Sequence, residues 1–89
     1  MSTITTGPWV DVRDEKALER ALALCKGEYQ RNLVLGYESL SGSTLRGRAS
    51  NWNSKYASSR DNLLQRLRES GVPVSERRED HNRRILVIG

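Results

Sequence analysis

From Asp14 onward, apolar residues return every three or four positions. Leu18, Ala21, Leu22, Cys25 and Tyr29 therefore share one helical face. Glu15, Lys16, Glu19 and Arg20 decorate the opposite side. Asp14 and Glu15 suit a helix start, where the backbone dipole favours anions. The pattern runs on through "EYQRNLVLG", so a first helix is expected from about 14 to 35. Gly27 weakens it by ~1 kcal/mol, and "NLVL" alone fits a strand as well.

Two further helices follow in the pattern. "SLSGSTLRGRASN" (39–51) reads as a short one, with Ser41 or Ser43 able to accept a bond from a free first-turn amide. Leu45 and Ala49 would face inward there. In "NWNSKYASSRDNLLQRLRESG" (51–71) the stripe is Leu63, Leu64 and Leu67. Ser58 or Ser59 fits the N-cap, and Ser58 with Asp61 makes a weak capping box. Gly71 before Val72-Pro73 stops the helix, because glycine takes the left-handed conformation and proline cannot continue the turn. The third helix is thus expected at about 58–70, with its leucines buried against Leu18, Leu22 and the strand at 85–88.

Beyond it, "VPVSE" alternates and "RRILVIG" is a near-continuous apolar run. With "RREDHNR" between them, they read as a β-hairpin with a polar, basic loop. "WVDV" (9–12) is a short strand or the lead into the first helix. The expected class is α+β: an N-terminal arm at 1–13, partly flexible, then one domain at 14–89 of three helices followed by a C-terminal β-hairpin.

That order, with a charged hairpin tip, resembles a winged helix-turn-helix. The resemblance covers about residues 14–89 and rests on element order and charge. It implies that the helix before the hairpin enters the major groove and that the hairpin touches the flanking backbone. One departure is already visible: "NWNSKYA" is longer than the usual three- or four-residue turn. Trp52 and Tyr56 are expected to fold this link back into the core.

Charge adds direction. Residues 1–40 hold five basic and six acidic side chains. Residues 41–89 hold ten basic and five acidic ones, and nine of the ten are arginines. Such asymmetry points to a phosphate-bearing partner on the C-terminal side. Eighty-nine residues make a single small core, too small for a large catalytic cleft. Cys25 is the lone cysteine and His81 the lone histidine, which excludes a disulfide framework and a Cys/His zinc cage. No apolar run approaches the roughly 18 residues of a membrane span, and "MSTITTGPWV" lacks the features of a signal peptide. A cytoplasmic setting is expected. No P-loop, GxGxxG or HExxH occurs. Asp80-His81-Asn82 beside arginines is only a thin nuclease hint, so no enzyme and no cofactor are expected.

The candidate contacts follow from helical projection. Ser58, Asp61, Asn62, Gln65 and Glu69 lie opposite the leucines, with Arg66 on one flank. Asn62 and Gln65 are amides of the kind that read adenine, and Arg66 could read guanine. Asp61 and Glu69 would repel phosphates. Arg60 projects near the leucine side, toward either a phosphate or an acid of the first helix. Arg46, Arg48 and Lys55 lie near the N-terminal end of the third helix, where backbone phosphates are nearest. Arg77, Arg78, Arg83 and Arg84 form the wing, although Glu76, Glu79 and Asp80 could pair with them across the hairpin. Trp9 and Cys25 read as core residues, His81 as a turn residue.

The expected function is that of a small double-stranded-DNA-binding protein, compatible with a homodimer. It would serve as a transcriptional regulator or accessory DNA-architecture factor, its size suggesting a phage or mobile element. Two alternatives use the same arginines: a protein-interaction module or inhibitor docking on an acidic partner, and an RNA binder.

Overall fold

The computed structural model describes residues 4–40, 50–80 and 83–89, with the stretch 50–57 described by its backbone alone. The described elements are β1 (Val10–Val12), α1 (Glu15–Ala23), α2 (Glu28–Leu35), α3 (Ser50–Glu69), β2 (Val74–Glu79) and β3 (Arg83–Ile88). The class is α+β as expected, but the order is not. A strand precedes the helices, and the hairpin is two-thirds of a three-stranded sheet ordered β1-β3-β2. β1 runs parallel to β3, with Val10 opposite Leu86 and Val12 opposite Ile88. β2 runs antiparallel to β3, from Val74 opposite Ile88 to Glu79 opposite Arg83.

"RRILVIG" is apolar because its strand is central. A strand flanked on both sides and covered on both faces has no wet position to alternate with. Residues 85–88 are all buried. "WVDV" becomes β1, which extends the ordered fold ahead of residue 14. The Gly7 N–H donates to the Leu35 carbonyl at 2.7 Å and Trp9 N–H to the Gly36 carbonyl at 3.1 Å, seating the chain before β1 on the end of α2.

The expected helix 14–35 is two helices. Asp14 does cap the first, its carboxylate accepting from Lys16 N–H at 3.0 Å. The break falls at 24–27, where Leu24 N–H turns back to the Ala21 carbonyl and Gly27 sits at φ +91°. Right-handed helix excludes that φ, and glycine adopts it without a Cβ clash. Residues 28–35 are helix rather than strand.

The expected third helix begins eight residues earlier than Ser58 and ends one residue before 70. No glycine or proline interrupts 50–69, so nothing forces a start at Ser58 or Ser59. The link "NWNSKYA" is helical rather than folded back; the core placement of Trp52 and Tyr56 concerns side chains outside those described. The short helix expected at 39–51 falls mostly on 41–49, outside the described residues, and Ser50 and Asn51 belong to α3. At the far end, Gly71 takes φ +80° and stops α3 as expected.

The core lies between the helices and one face of the sheet. Leu63, Leu64 and Leu67 of α3 are buried in one cluster with Ala17, Leu18 and Ala21 of α1, Leu33 and Val34 of α2, and Leu86 and Ile88 of β3. Leu22 packs at its margin. Burying side chains of this size stabilises by about 1.5–3 kcal/mol each. Ile85 and Val87 are also buried but point to the other side of the sheet, since neighbours along a strand alternate in face.

Candidate functional site

The surface that the sequence singles out is built by α3 and the β2–β3 hairpin. Four residues (70–73, with Val72 buried) join the helix to β2 without a detour. α3 and β2 therefore stand side by side, with an open groove of about 450 Å³ between them. Leu64 floors it; Asp61, Gln65, Arg68 and Glu69 of α3 and Glu76 of β2 line it. Three carboxylates against one guanidinium make this groove acidic, although the chain as a whole is basic.

Ser58, Asn62 and Gln65 are exposed on α3, on the side expected. Gln65 donates through Nε2 to Glu69 Oε2 at 3.2 Å, one turn along. Arg66 is not on an open flank. It is half-buried, and its Nη1 donates to the Leu24 carbonyl at 3.0 Å and to Gln30 Oε1 at 3.1 Å. A guanidinium held this way caps the end of α1, and base reading would have to break those bonds. Arg60 likewise turns inward: its Nη1 donates to the Leu40 carbonyl, and its Nε lies 3.8 Å from Asp61. It meets no acid of the first helix, and its side chain stays 20% exposed. Arg46 and Arg48 lie outside the described residues, as does the side chain of Lys55.

Sequence reasoning missed the centre of this arrangement, Gln30. Its side chain is 4% exposed and fully engaged. Oε1 accepts from Lys26 N–H at 2.7 Å and from Arg66; Nε2 donates to the Ser59 carbonyl at 3.0 Å and Ser59 Oγ at 3.1 Å. One buried amide thus ties the α1–α2 turn, α2 and α3 together. A buried polar group left unpaired costs about 1–3 kcal/mol, which is why such groups are satisfied. A signal existed: Gln30 precedes the apolar Leu33 and Val34 by three and four positions, a polar residue inside a buried stripe.

Register divides the four wing arginines between two faces. Arg77 and Arg83 share the outer face with Trp9 and Asp11, while Arg78 and Arg84 share the face that carries the helices. On the outer face the cations are matched. Arg77 donates to Asp11 Oδ2 at 2.6 Å and to Glu79 Oε2 at 2.8 Å, and Arg13 lies 3.4 Å from the same Asp11 oxygen. The Arg77 hydrogen bond holds the Asp11 carboxyl below its ordinary pKa against the opposing effect of burial, with the positive charges of Arg13 and Arg77 adding to it. Arg83 stands over the Trp9 ring, 5.4 Å from its centroid. Trp9 is therefore a half-exposed partner of a cation rather than a core residue. On the helix-side face, Arg84 lies 3.8 Å from Glu76, and Arg78 has no ion-pair partner among the described residues.

Comparison with protein-family models, with curated proteins and with solved structures finds no match. The chain's chemistry is read from its own residues.

Among the described residues no group of His, Cys, Asp or Glu is placed to hold a metal ion. Cys25 packs against the core, its Sγ 3.3 Å from the Ala21 carbonyl, and burial pushes its thiol up to about 11. It is a protonated packing group at neutral pH. His81 lies outside the described residues. No described helix is long and apolar enough to cross a membrane.

Proposed function

We propose that this chain binds double-stranded DNA, with α3 presented to the major groove and the hairpin laid along the backbone. One observation carries the reading: a long helix with exposed amides (Asn62, Gln65) lies beside a hairpin whose end exposes arginines, with only a short turn between them. That juxtaposition supplies base-edge readers and phosphate contacts on one side of the molecule. It is the arrangement that a winged helix uses. Two features depart from the pattern: β1 comes before α1, and residues 36–49 separate α2 from α3.

The reading is narrower than the sequence alone suggests. Base readout falls to Asn62 and Gln65, because Arg66 and Arg60 donate to backbone carbonyls of other segments, whereas Gln65 is tied only to the exposed Glu69 of its own helix. The acidic groove keeps phosphates away from the middle of α3 and toward the hairpin end. A regulator or DNA-architecture role follows from this mode of binding. Titration of random duplex DNA and random RNA at two salt concentrations tests it. Duplex affinity should fall steeply with salt through counterion release. Preference for RNA, or no binding to either, would overturn the reading in favour of an RNA partner or an acidic protein.

A further inference from the structure

The register of the hairpin sets two like charges opposite each other. Arg78 of β2 faces Arg84 of β3 directly across the antiparallel ladder. Facing residues have Cβ atoms about 4.5–5.5 Å apart, and like charges placed so are destabilising. The adjacent pair on the outer face shows the favourable alternative, Glu79 opposite Arg83. Every outer arginine is matched: Arg77 to two carboxylates, Arg13 to Asp11, Arg83 to an aromatic face and an opposing Glu79. The helix-side pair is not. Its one ion pair among the described residues is from Arg84 to Glu76 at 3.8 Å, and Glu76 shares the lining of the α3 groove. A contact that long between half-exposed groups contributes little.

We propose that Arg78 and Arg84 form the seat of one backbone phosphate, whose charge bridges the two guanidiniums. The inference rests on the DNA-binding reading and sharpens it. The phosphate sits on the helix-side face of the hairpin, next to the acidic groove, and the outer arginines Arg77 and Arg83 lie outside the seat. The geometry also fixes how the duplex lies. It approaches from the α3 side of the sheet, so a base-edge contact by Asn62 or Gln65 and a phosphate contact by Arg78–Arg84 belong to one binding event. A guanidinium is suited to this role because its planar donors match two phosphate oxygens.

The test measures affinity for a random-sequence duplex against salt for the full chain, for Arg78→Ala, for Arg84→Ala and for Arg13→Ala. Arg13 carries the same charge on the opposite face. The slope of log K against log salt should shrink by roughly 0.9 for a lost phosphate contact, in the Arg78 and Arg84 variants and not in the Arg13 variant. Equal changes in all three, or none in any while the parent chain binds, would overturn the seat and leave the DNA reading standing. Failure of the parent chain to bind duplex at low salt would overturn both. Arg78→Gln supplies an independent arm. It removes the like charge facing Arg84 and leaves the Arg84–Glu76 pair in place, so the thermal midpoint should rise while duplex affinity drops. A midpoint that stayed level or fell would refute the like-charge argument on which the seat rests.

Discussion

The two faces of the sheet are both dry at the central strand, yet they are dried by different means. On the inner face, Leu86 and Ile88 are covered by three helices and join the leucines of α3. On the outer face, Ile85 is 3% exposed and Val87 7% although neither belongs to that cluster. Register gives them Arg77, Ser75 and Asp11 as facing neighbours, with Trp9 and Arg83 at the end of the same face. No helix of the core cluster covers them; the face is instead rich in polar residues, and its long members, Arg77 and Arg83 with Trp9, are of the kind whose carbon stems shield while their polar heads stay wet. A packed helix layer resists collapse; a roof of flexible stems can settle into a gap. The same strand thus has a rigid side and an adaptable side.

Three measurements sharpen or break that contrast. The largest effect is expected from Leu86→Ala beside Ile85→Ala. Both remove a buried aliphatic side chain, a change that costs about 2–5 kcal/mol depending on how well the site relaxes. Leu86→Ala should fall toward the upper end and Ile85→Ala toward the lower. Chemical denaturation of the two variants gives the comparison, and equal losses would mean that the outer roof is as rigid as the helix layer.

Next in size is Arg83→Gln, which removes the cation from above Trp9. Such a contact at an exposed position contributes about 0.5–1 kcal/mol. Trp9 should become more accessible to a collisional quencher of indole fluorescence in the same variant. Unchanged quenching would show that Arg83 does not shelter the ring.

The smallest effect concerns pH. Asp11 has a lowered pKa in the folded chain, so it binds protons less readily folded than unfolded. Its stabilising contribution is therefore complete above the unfolded value of about 4 and is lost as pH falls through the lowered folded value. Asp11→Asn should lower the thermal midpoint at neutral pH, and the gap from the parent chain should close below pH ~4. A gap that stayed constant across that range would assign the loss to packing instead of to the Arg77 ion pair.

What could be read beforehand follows sequence distance. The leucine stripe of α3, the Asp14 cap, the Gly71 stop and the central apolar strand are local signals, each complete within about a turn or a strand. Helix bounds aside, the misreadings came from partners far along the chain. Ser59 looks like a cap until Gln30, 29 positions away, takes both its hydroxyl and its carbonyl. Arg66 projects to an outer flank, but its long side chain reaches back to Leu24, 42 positions away. Arg77 reads as a wing cation whose only candidate partners are carboxylates of the hairpin, until β1 brings Asp11 beside it from 66 positions away. β1 itself is three residues long, too short for alternation to declare a strand, and only its parallel pairing with β3 makes it one. In the candidate site, the amides of α3 and the exposure of Arg78 and Arg84 were visible as residue types. Their division between two faces depends on a register that periodicity does not reveal.

Arg20 and Arg66 make one more consequence visible. Arg20 of α1 donates to the Ser70 carbonyl at the end of α3, and Arg66 of α3 donates to the Leu24 carbonyl at the end of α1. The C-terminal ends of the two helices meet, and each supplies the cation that closes the other. Helix ends ordinarily fray independently, opening at little cost compared with the global unfolding of the chain. Here the last turn of α1 cannot open without releasing Arg66, and that of α3 cannot open without releasing Arg20. Amide protons in both terminal turns should therefore exchange at matched rates, as members of one cooperative unit that also holds the buried Gln30. Among the described residues none of the hairpin arginines bonds to Arg20, Arg66 or Gln30, so local opening of the hairpin leaves the clasped helix ends intact.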